Sequence, residues 1–357
     1  MGRQTRTFAW LVFIPAILLN SLGLVTLLSR DPVLFYQQAI FTAVGLGLFW
    51  LFYHIDFELY QYLYKFFYVG AILFLLMAFL GPNVRGATRW IDLGGFRIQP
   101  SEIIKPFFLI TLASLLVRYP PTKIKFILYH LGLFGLPFLI IYKQPDLGNA
   151  IVYAGMWLFS VVLAGMPVWF LVLGGGVLGG LLPFGYRLLH EYQRQRILTF
   201  LNPLSDPRGT GYNAIQAMIA VGSGQWFGRG FGKGTQSLLN FLPEQHTDFI
   251  FAAFSEEFGF IGALVLLAIF FIFLWKVLRL TNLRQDRQLA FLYSAGFFTQ
   301  LFIHVIINVG MNLGLVPITG ITLPFISYGG SSLISLWIGL GILFSADFEP
   351  HQAASRG

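Results

Sequence analysis

Apolar runs about 20 residues long recur from one end of this chain to the other, and they set its environment before any motif is considered. A run of that length crosses a hydrocarbon core of ~30 Å as a helix, at 1.5 Å per residue, because lipid offers no partner to a bare peptide group. Ten spans are expected, at roughly 8–29, 33–53, 60–81, 101–117, 126–142, 147–165, 168–187, 249–276, 289–313 and 328–346. Charged residues make up only 11% of the chain and hydrophobic ones 56%, which is about half the charge of a soluble domain. The expected fold class is all-α, a polytopic membrane protein with about ten transmembrane helices, forming a single domain over residues 1–357 with a large extracytoplasmic loop at about 188–248. The first run, Phe8 to Leu28, is too long for the apolar part of a cleaved signal, and no small-residue cleavage pattern follows it.

Basic residues orient the spans. Arg3 and Arg6 precede the first, Arg118, Lys123 and Lys125 follow the fourth, and Lys276, Arg279, Arg284 and Arg287 follow the eighth. With ten spans all of these share one side, which the positive-inside rule makes cytoplasmic together with both termini. The other side carries Arg85, Arg89 and Arg97 in a short segment, and Arg194, Arg196, Arg208, Arg229 and Lys233 in the large loop. Long loops cross regardless of charge, so the short segment is the more informative: its arginines suggest an anion held at the outer face. The net charge of +8 is scattered between helices, which fits lipid headgroups or an anionic substrate and argues against nucleic acid. Cysteine is absent, which excludes disulfides, thiolate metal sites and a cysteine nucleophile.

Within the large loop, Asn213 to Ser223 carries apolar residues at helical spacing and predicts a short interfacial helix. Gly228 to Gly234 follows as a glycine-rich turn with two cations, Arg229 and Lys233. The loop is expected to fold as a cap over the membrane-embedded core. The turn lies outside the cytoplasm and follows no strand, so it is not read as a nucleotide-sugar site.

The candidate site residues lie near the outer ends of spans. Asp248 stands between the large loop and the apolar eighth span, where a carboxylate is costly and marks function by default. The bland reading is that Thr247 or Asp248 caps the helix. Ser255, Glu256 and Glu257 follow on the same helix, and the two glutamates are expected to bond to polar groups of neighbouring helices. Pro100 and Ser101 start a helix on which Glu102 and Lys105, three apart, share a face. That pair reads equally well as an internal ion pair or as the wall of a polar site. Gln300, His304, Asn308 and Asn312, at spacing four, form a stripe that must face the bundle interior and is explained by interhelical hydrogen bonds. Asp146 reads as a helix cap with scope for a polar contact, and the glycines of Gly174 to Gly180 as small-residue packing or as a weakly held helix.

Taken together, Arg85 to Ile91, Gln99-Pro100-Ser101-Glu102, Lys143 to Gly148, Leu242 to Phe249, Asn312 to Gly320 and Pro324 to Ser332 resemble the motifs of the SEDS family (shape, elongation, division and sporulation), in the family's order and over nearly the whole chain. Gly234-Thr235-Gln236-Ser237 is similar to the form found in the elongation (RodA-like) branch of that family. The resemblance implies a peptidoglycan glycosyltransferase that polymerises lipid II at the outer face of the bacterial cytoplasmic membrane. It implies that Asp248 is the essential acid, that Glu102 and Lys105 are the functional pair, and that Arg89 and Gln99 contact substrate. It also implies a partner, a single-pass class B penicillin-binding protein acting as transpeptidase.

On that basis the sugar 4-OH of lipid II attacks C1 of a growing glycan held on polyprenyl pyrophosphate, with inversion. Asp248 takes the proton, and Lys105, Arg89, Arg85 and arginines of the large loop stabilise the leaving pyrophosphate. A divalent cation, magnesium or manganese, with Asp248 as ligand is the competing role for that residue. A lipid II flippase or transporter is the alternative function, since buried polar groups and a glycine-rich helix also suit transport. A scaffold that only recruits an enzyme is a third, but it does not require Asp248.

Overall fold

The computed structural model describes residues 2–82, 88–92, 94, 96–188, 191–207, 209–234 and 241–347. Arg85, Arg208 and Thr235 to Ser237 lie outside the described residues. The helices are α1 (Gly2–Leu28), α2 (Pro32–Tyr53), α3 (Phe57–Met77), α4 (Pro100–Ile103), α5 (Lys105–Arg118), α6 (Ile124–Lys143), α7 (Leu147–Leu163), α8 (Val168–Leu188), α9 (Glu191–Leu201), α10 (Tyr212–Ser223), α11 (Ile250–Asn282), α12 (Gln288–Asn312) and α13 (Gly330–Ser345). A small antiparallel ribbon, β1 (Ile91–Asp92) with β2 (Arg97–Ile98), pairs Ile91 with Ile98.

Among the described residues, six helices are long and apolar enough to cross a membrane: Thr7–Leu28, Pro32–Tyr53, Phe57–Leu80, Ile124–Lys143, Ile250–Asn282 and Gln288–Asn312. Shorter apolar helices Leu147–Leu163, Val168–Val177 and Gly330–Ser345 stand at three more of the expected positions. The expected fourth span is split: α4 ends at Ile103, Ile104 interrupts, and α5 resumes at Lys105. Pro106 at the start of α5 supplies no N–H for a continuous ladder, so the break falls beside it.

The bundle closes on aromatic packing. Trp337 of α13 is fully buried, with Phe13, Phe49 and Phe325 around it. Gly45 of α2 admits the indole, since a Cβ there would stand 2.3 Å from Trp337. The outward faces keep large apolar side chains such as Ile14, Leu18, Val44 and Leu264 exposed, as expected where lipid is the solvent. Arg284, which orientation alone would place as a loop charge, is fully buried. It donates to Ser294 Oγ at 2.6 Å and to the Leu343 carbonyl at 2.8 Å, and pairs with Asp347. It thereby satisfies a carbonyl in the last turn of α13 that has no partner within the helix.

Two glycine features depart from expectation. A Cβ on Gly174, Gly175, Gly176, Gly179 or Gly180 would meet nothing within 4 Å, so these residues do not serve close helix packing among the described residues. The eighth helix, in contrast, is longer than expected and is broken at Gly259, where φ is 69°. The predicted helix in the large loop is present as α10, accompanied by α9, which the sequence pattern does not reveal.

Candidate functional site

The break between α4 and α5 turns two charged side chains inward. Lys105 is fully buried, and its Nζ donates to Glu102 Oε2 at 2.8 Å and lies 3.0 Å from His304 Nε2 on α12. His304 Nδ1 lies 3.0 Å from the Thr322 carbonyl. A carbonyl only accepts, so Nδ1 carries the imidazole proton and Nε2 accepts from the ammonium. The result is a chain, Glu102–Lys105–His304–Thr322, in which a buried cation keeps both of its partners. An isolated ammonium could not be held there.

Asp146 gathers a second network. It caps α7 through the Asn149 N–H, as the sequence pattern predicts. Its Oδ2 also accepts from Gln99 Nε2 at 2.6 Å, from Asn149 Nδ2 at 2.8 Å and from Ser101 Oγ at 3.1 Å. Arg89 Nη1 approaches its Oδ1 to 3.8 Å while the guanidinium lies over Trp90, 4.4 Å from the ring centroid. Two of the predicted substrate contacts, Arg89 and Gln99, are thus brought together on Asp146. The Gln99 amide nitrogen is committed to that carboxylate, whereas Arg89 remains partly open to solvent, at 27%.

Asp248 does not cap its helix. Phe249 stands at the N-cap of α11, which has no side-chain cap, so the bland reading of Asp248 fails. Instead three successive carbonyls of its segment are held from other elements. Tyr328 N donates to His246 O at 2.8 Å, and Ser327 Oγ donates to Thr247 O at 2.7 Å. The Asp248 carbonyl takes both Asn308 Nδ2 at 3.0 Å and Asn312 Nδ2 at 3.1 Å. The polar stripe of α12 therefore pins the backbone on which Asp248 is carried. Asn312 Oδ1 also accepts the Ala252 N–H in the first turn of α11, one of the donors a helix leaves unsatisfied. Backbone strain falls in the same place, at Glu244 (φ 52°) and Phe325 (φ 64°), which are left-handed without being glycine.

Asp248 as a whole residue is half-buried. Gly320, at φ +75°, passes close enough that a Cβ there would stand 3.4 Å from Asp248 Oδ2. Burial, then the neighbouring charge of Glu244, pushes Asp248 up to about 6, against the pull of Arg89, Arg196 and the Thr247 hydroxyl. A cavity of about 410 Å³ lies between α9, α10 and the segment after α12, lined by Gln195, Arg196, Thr199, Thr210, Met311 and Ile318 among others. Arg196 thus faces both the cavity and, electrostatically, Asp248. Of the residues that matter here, Asp146 was legible as a cap with a polar contact, not as a hub, and Arg196 only as one of several loop cations. The signal for Asp146 was its place in the Lys143 to Gly148 motif; for Arg196 it was membership of the external loop arginines, among which the pattern singled out none.

Among the described residues no three histidine or acidic side chains cluster as a metal site. Magnesium commonly takes one or two carboxylates and completes its shell with phosphate and water. Asp248, with Glu244 nearby, fits that partial role only in company with a phosphorylated substrate.

The chain matches the family described as cell cycle protein, FtsW/RodA/SpoVE, over residues 3–352. It is 40% identical over 276 residues to the peptidoglycan glycosyltransferase MrdB of Escherichia coli strain K12, which covers 77% of this chain and 74% of that protein. It superposes with a TM-score of 0.83 and 29% identity on a chain from a structure described as the structural coordination of polymerization and crosslinking by a peptidoglycan synthase complex, covering 96% of this chain and 98% of that one. It superposes on the rod shape determining protein RodA of Thermus thermophilus with a TM-score of 0.73 and 28% identity, covering 96% of this chain and 97% of that one.

Proposed function

Because the chain belongs to the FtsW/RodA/SpoVE family of cell cycle proteins, we infer that it is a peptidoglycan glycosyltransferase, and that it polymerises lipid II at the outer face of the bacterial cytoplasmic membrane with both termini in the cytoplasm. The observation that carries the reading is Asp248, a carboxylate raised to about 6, carried on a backbone pinned by Asn308 and Asn312 and acted on through space by Arg196, which lines the cavity. A base with a pKa close to working pH combines an ionised resting state with real affinity for the proton it removes.

The acceptor 4-OH of lipid II forms a bond to C1 of the donor sugar while the bond from C1 to the pyrophosphate oxygen breaks. Asp248 takes the hydroxyl proton, and polyprenyl pyrophosphate leaves with the electron pair. Attack opposite to the leaving group inverts an α-linked donor to a β-1,4 linkage. Arg89 and Arg196, both acting on Asp248 through space, are the described cations best placed to meet the charge that develops on the pyrophosphate. Lys105 is fully buried and bonded to Glu102 and His304, so we assign that pair to holding the α4–α5 break and its surroundings in register, with Asp146 fixing Gln99 and Arg89. A divalent ion, if bound by Asp248 and the substrate's phosphates, would neutralise the pyrophosphate.

The likeness to MrdB and RodA supports a place in cell elongation. The likeness to a chain of a peptidoglycan synthase complex supports a transpeptidase partner of the class B penicillin-binding type. The test is glycan formation from purified lipid II with and without that partner and a divalent ion. Wild type is expected to polymerise and Asp248→Asn to be inactive while folding normally. Retained polymerisation by Asp248→Asn would remove the base assignment, and lipid II crossing the bilayer without polymer formation would favour transport instead.

A further inference from the structure

The glycine-rich turn after α10 does not float in the external loop. It fills the break in α11. Arg229 N donates to Glu256 O at 2.9 Å and Gly230 N to Glu257 O at 3.1 Å, satisfying two of the last three carbonyls before Gly259. In the other direction, Phe260 N donates to Gln225 O at 2.7 Å and Ile261 N to Trp226 O at 3.1 Å, satisfying the first N–H groups after it. The approach is that of backbone on backbone. A Cβ on Gly228 (φ +80°) would stand 2.1 Å from Glu257 O, and one on Gly259 would stand 2.2 Å from Gly228 N.

This junction locates the turn along the membrane normal. The part of α11 beyond Gly259 runs to Asn282, and at 1.5 Å per residue it spans a ~30 Å core unaided. Glu257, just before the break, bonds to Ser29 Oγ at 2.9 Å and Arg30 Nε at 3.2 Å in the turn between α1 and α2. A Cβ on Gly232 would stand 3.5 Å from the Ser29 carbonyl. Both markers put the turn at the outer boundary of the hydrocarbon. There it presents Trp226, Phe227 and Phe231, exposed by 65%, 81% and 52%. Trp226 meets Phe260 edge to face at 5.4 Å, and Phe260, Ile261 and Leu264 continue the apolar surface down the spanning helix. Arg229 and Lys233 are exposed between and beside these rings.

We propose that Gly224 to Lys233 is a membrane-inserted wedge that seats its aromatic side chains in the outer leaflet and takes phospholipid phosphates on Arg229 and Lys233. Aromatic rings favour this interfacial zone, and each basic residue near an anionic surface adds to its attraction. The surface is continuous with a helix face that already meets lipid, and its two cations suit the anionic headgroups at that depth. Through the hydrogen bonds at Gly259 the wedge joins the bilayer to the helix that begins just after Asp248. The proposal rests on the membrane fold and on the orientation inferred above, and not on the glycosyltransferase chemistry.

The chain has no cysteine, so a single Phe227→Cys site carries an environment-sensitive fluorophore without background labelling. The labelled full-length protein is placed in nanodiscs of mixed phosphatidylcholine and phosphatidylglycerol, without lipid II. Expected is blue-shifted emission, strong quenching by lipids spin-labelled near the headgroup, weaker quenching by lipids labelled at the chain end, and little by aqueous iodide. Spin-labelled phosphatidylglycerol should quench more than its phosphatidylcholine counterpart, and Arg229→Ala with Lys233→Ala should abolish that preference. A label at Phe66, a 73% exposed position on α3, serves as the lipid-facing control and should be unaffected by the two substitutions. Iodide quenching at position 227 that exceeds lipid quenching would overturn the wedge, leaving the surface to a protein partner. A preference for anionic lipid that appears only on adding polyprenyl pyrophosphate would assign the cations to substrate and overturn the phospholipid site.

Discussion

The Asp248 carbonyl accepts two amide donors at once, and removing both should cost more than the separate removals predict. Asn308 and Asn312 are fully buried. Asn308→Ala leaves the Ile321 carbonyl without its 2.7 Å donor, and Asn312→Ala leaves the Ala252 N–H without its 3.1 Å acceptor. In each single variant the Asp248 carbonyl keeps one donor. Only the double variant strands it. A buried polar group left unpaired costs about 1–3 kcal/mol, so each single should lose that much and the double should exceed their sum by one further group, again about 1–3 kcal/mol. The measurement is a double-mutant cycle on thermal unfolding in detergent, run beside polymerisation of lipid II. Because the affected backbone carries Asp248, kcat should fall, by about 100-fold for a displacement near 1 Å, while KM for lipid II moves little. A double variant that matches the sum within about 0.5 kcal/mol, with kcat intact, would refute the claim that the stripe positions Asp248.

Acidity, ion pairing and backbone fit supply the other expected outcomes. As a base with a pKa raised to about 6, Asp248 is active when deprotonated, so kcat/KM should hold above that pH and fall about tenfold per unit below it; a flat profile down to pH 5 excludes it as the base. The same upward shift means the fold disfavours the charged form, so Asp248→Asn should melt higher than wild type at neutral pH, with the gap closing as pH falls through about 6. Glu102→Gln leaves Lys105 buried with its charge uncompensated and should cost about 3–5 kcal/mol, part of which the double replacement Glu102→Gln with Lys105→Met should recover; equal melting of the single and double variants would deny the pairing. Gly228→Ala should destabilise by at least ~1–3 kcal/mol through its left-handed φ alone, whereas Gly174→Ala, in open space within α8, should be neutral or gain up to ~1 kcal/mol; similar melting shifts for both would contradict the filled helix break.

The membrane class, most span positions and the prominence of Asp248 were legible because they rest on local chemistry. Burying twenty apolar residues in lipid, or one carboxylate near it, has the same cost whatever the rest of the chain does. For that reason the helical stripe of Gln300, His304, Asn308 and Asn312 could be recognised as inward-facing from spacing alone. What it faced could not, since His304 meets Lys105 across 199 residues and Asn312 meets Asp248 across 64. The role of Asp146 as the hub for Gln99 and Ser101, the placement of Arg196 beside Asp248, and the break at Gly259 filled by the turn at Gly228 likewise arise between segments far apart in the chain. The glycines of α8 and those of the turn look alike as a pattern, yet a Cβ at Gly174 meets open space and one at Gly228 meets a carbonyl oxygen. Hydropathy and spacing are sums over neighbours along the chain, so the sequence alone determined the solvent, most of the long helices and the unusual acid. Hydrogen bonds and steric exclusion act between atoms a few ångströms apart in space, and only the packed structure decided which distant residues hold that acid in place.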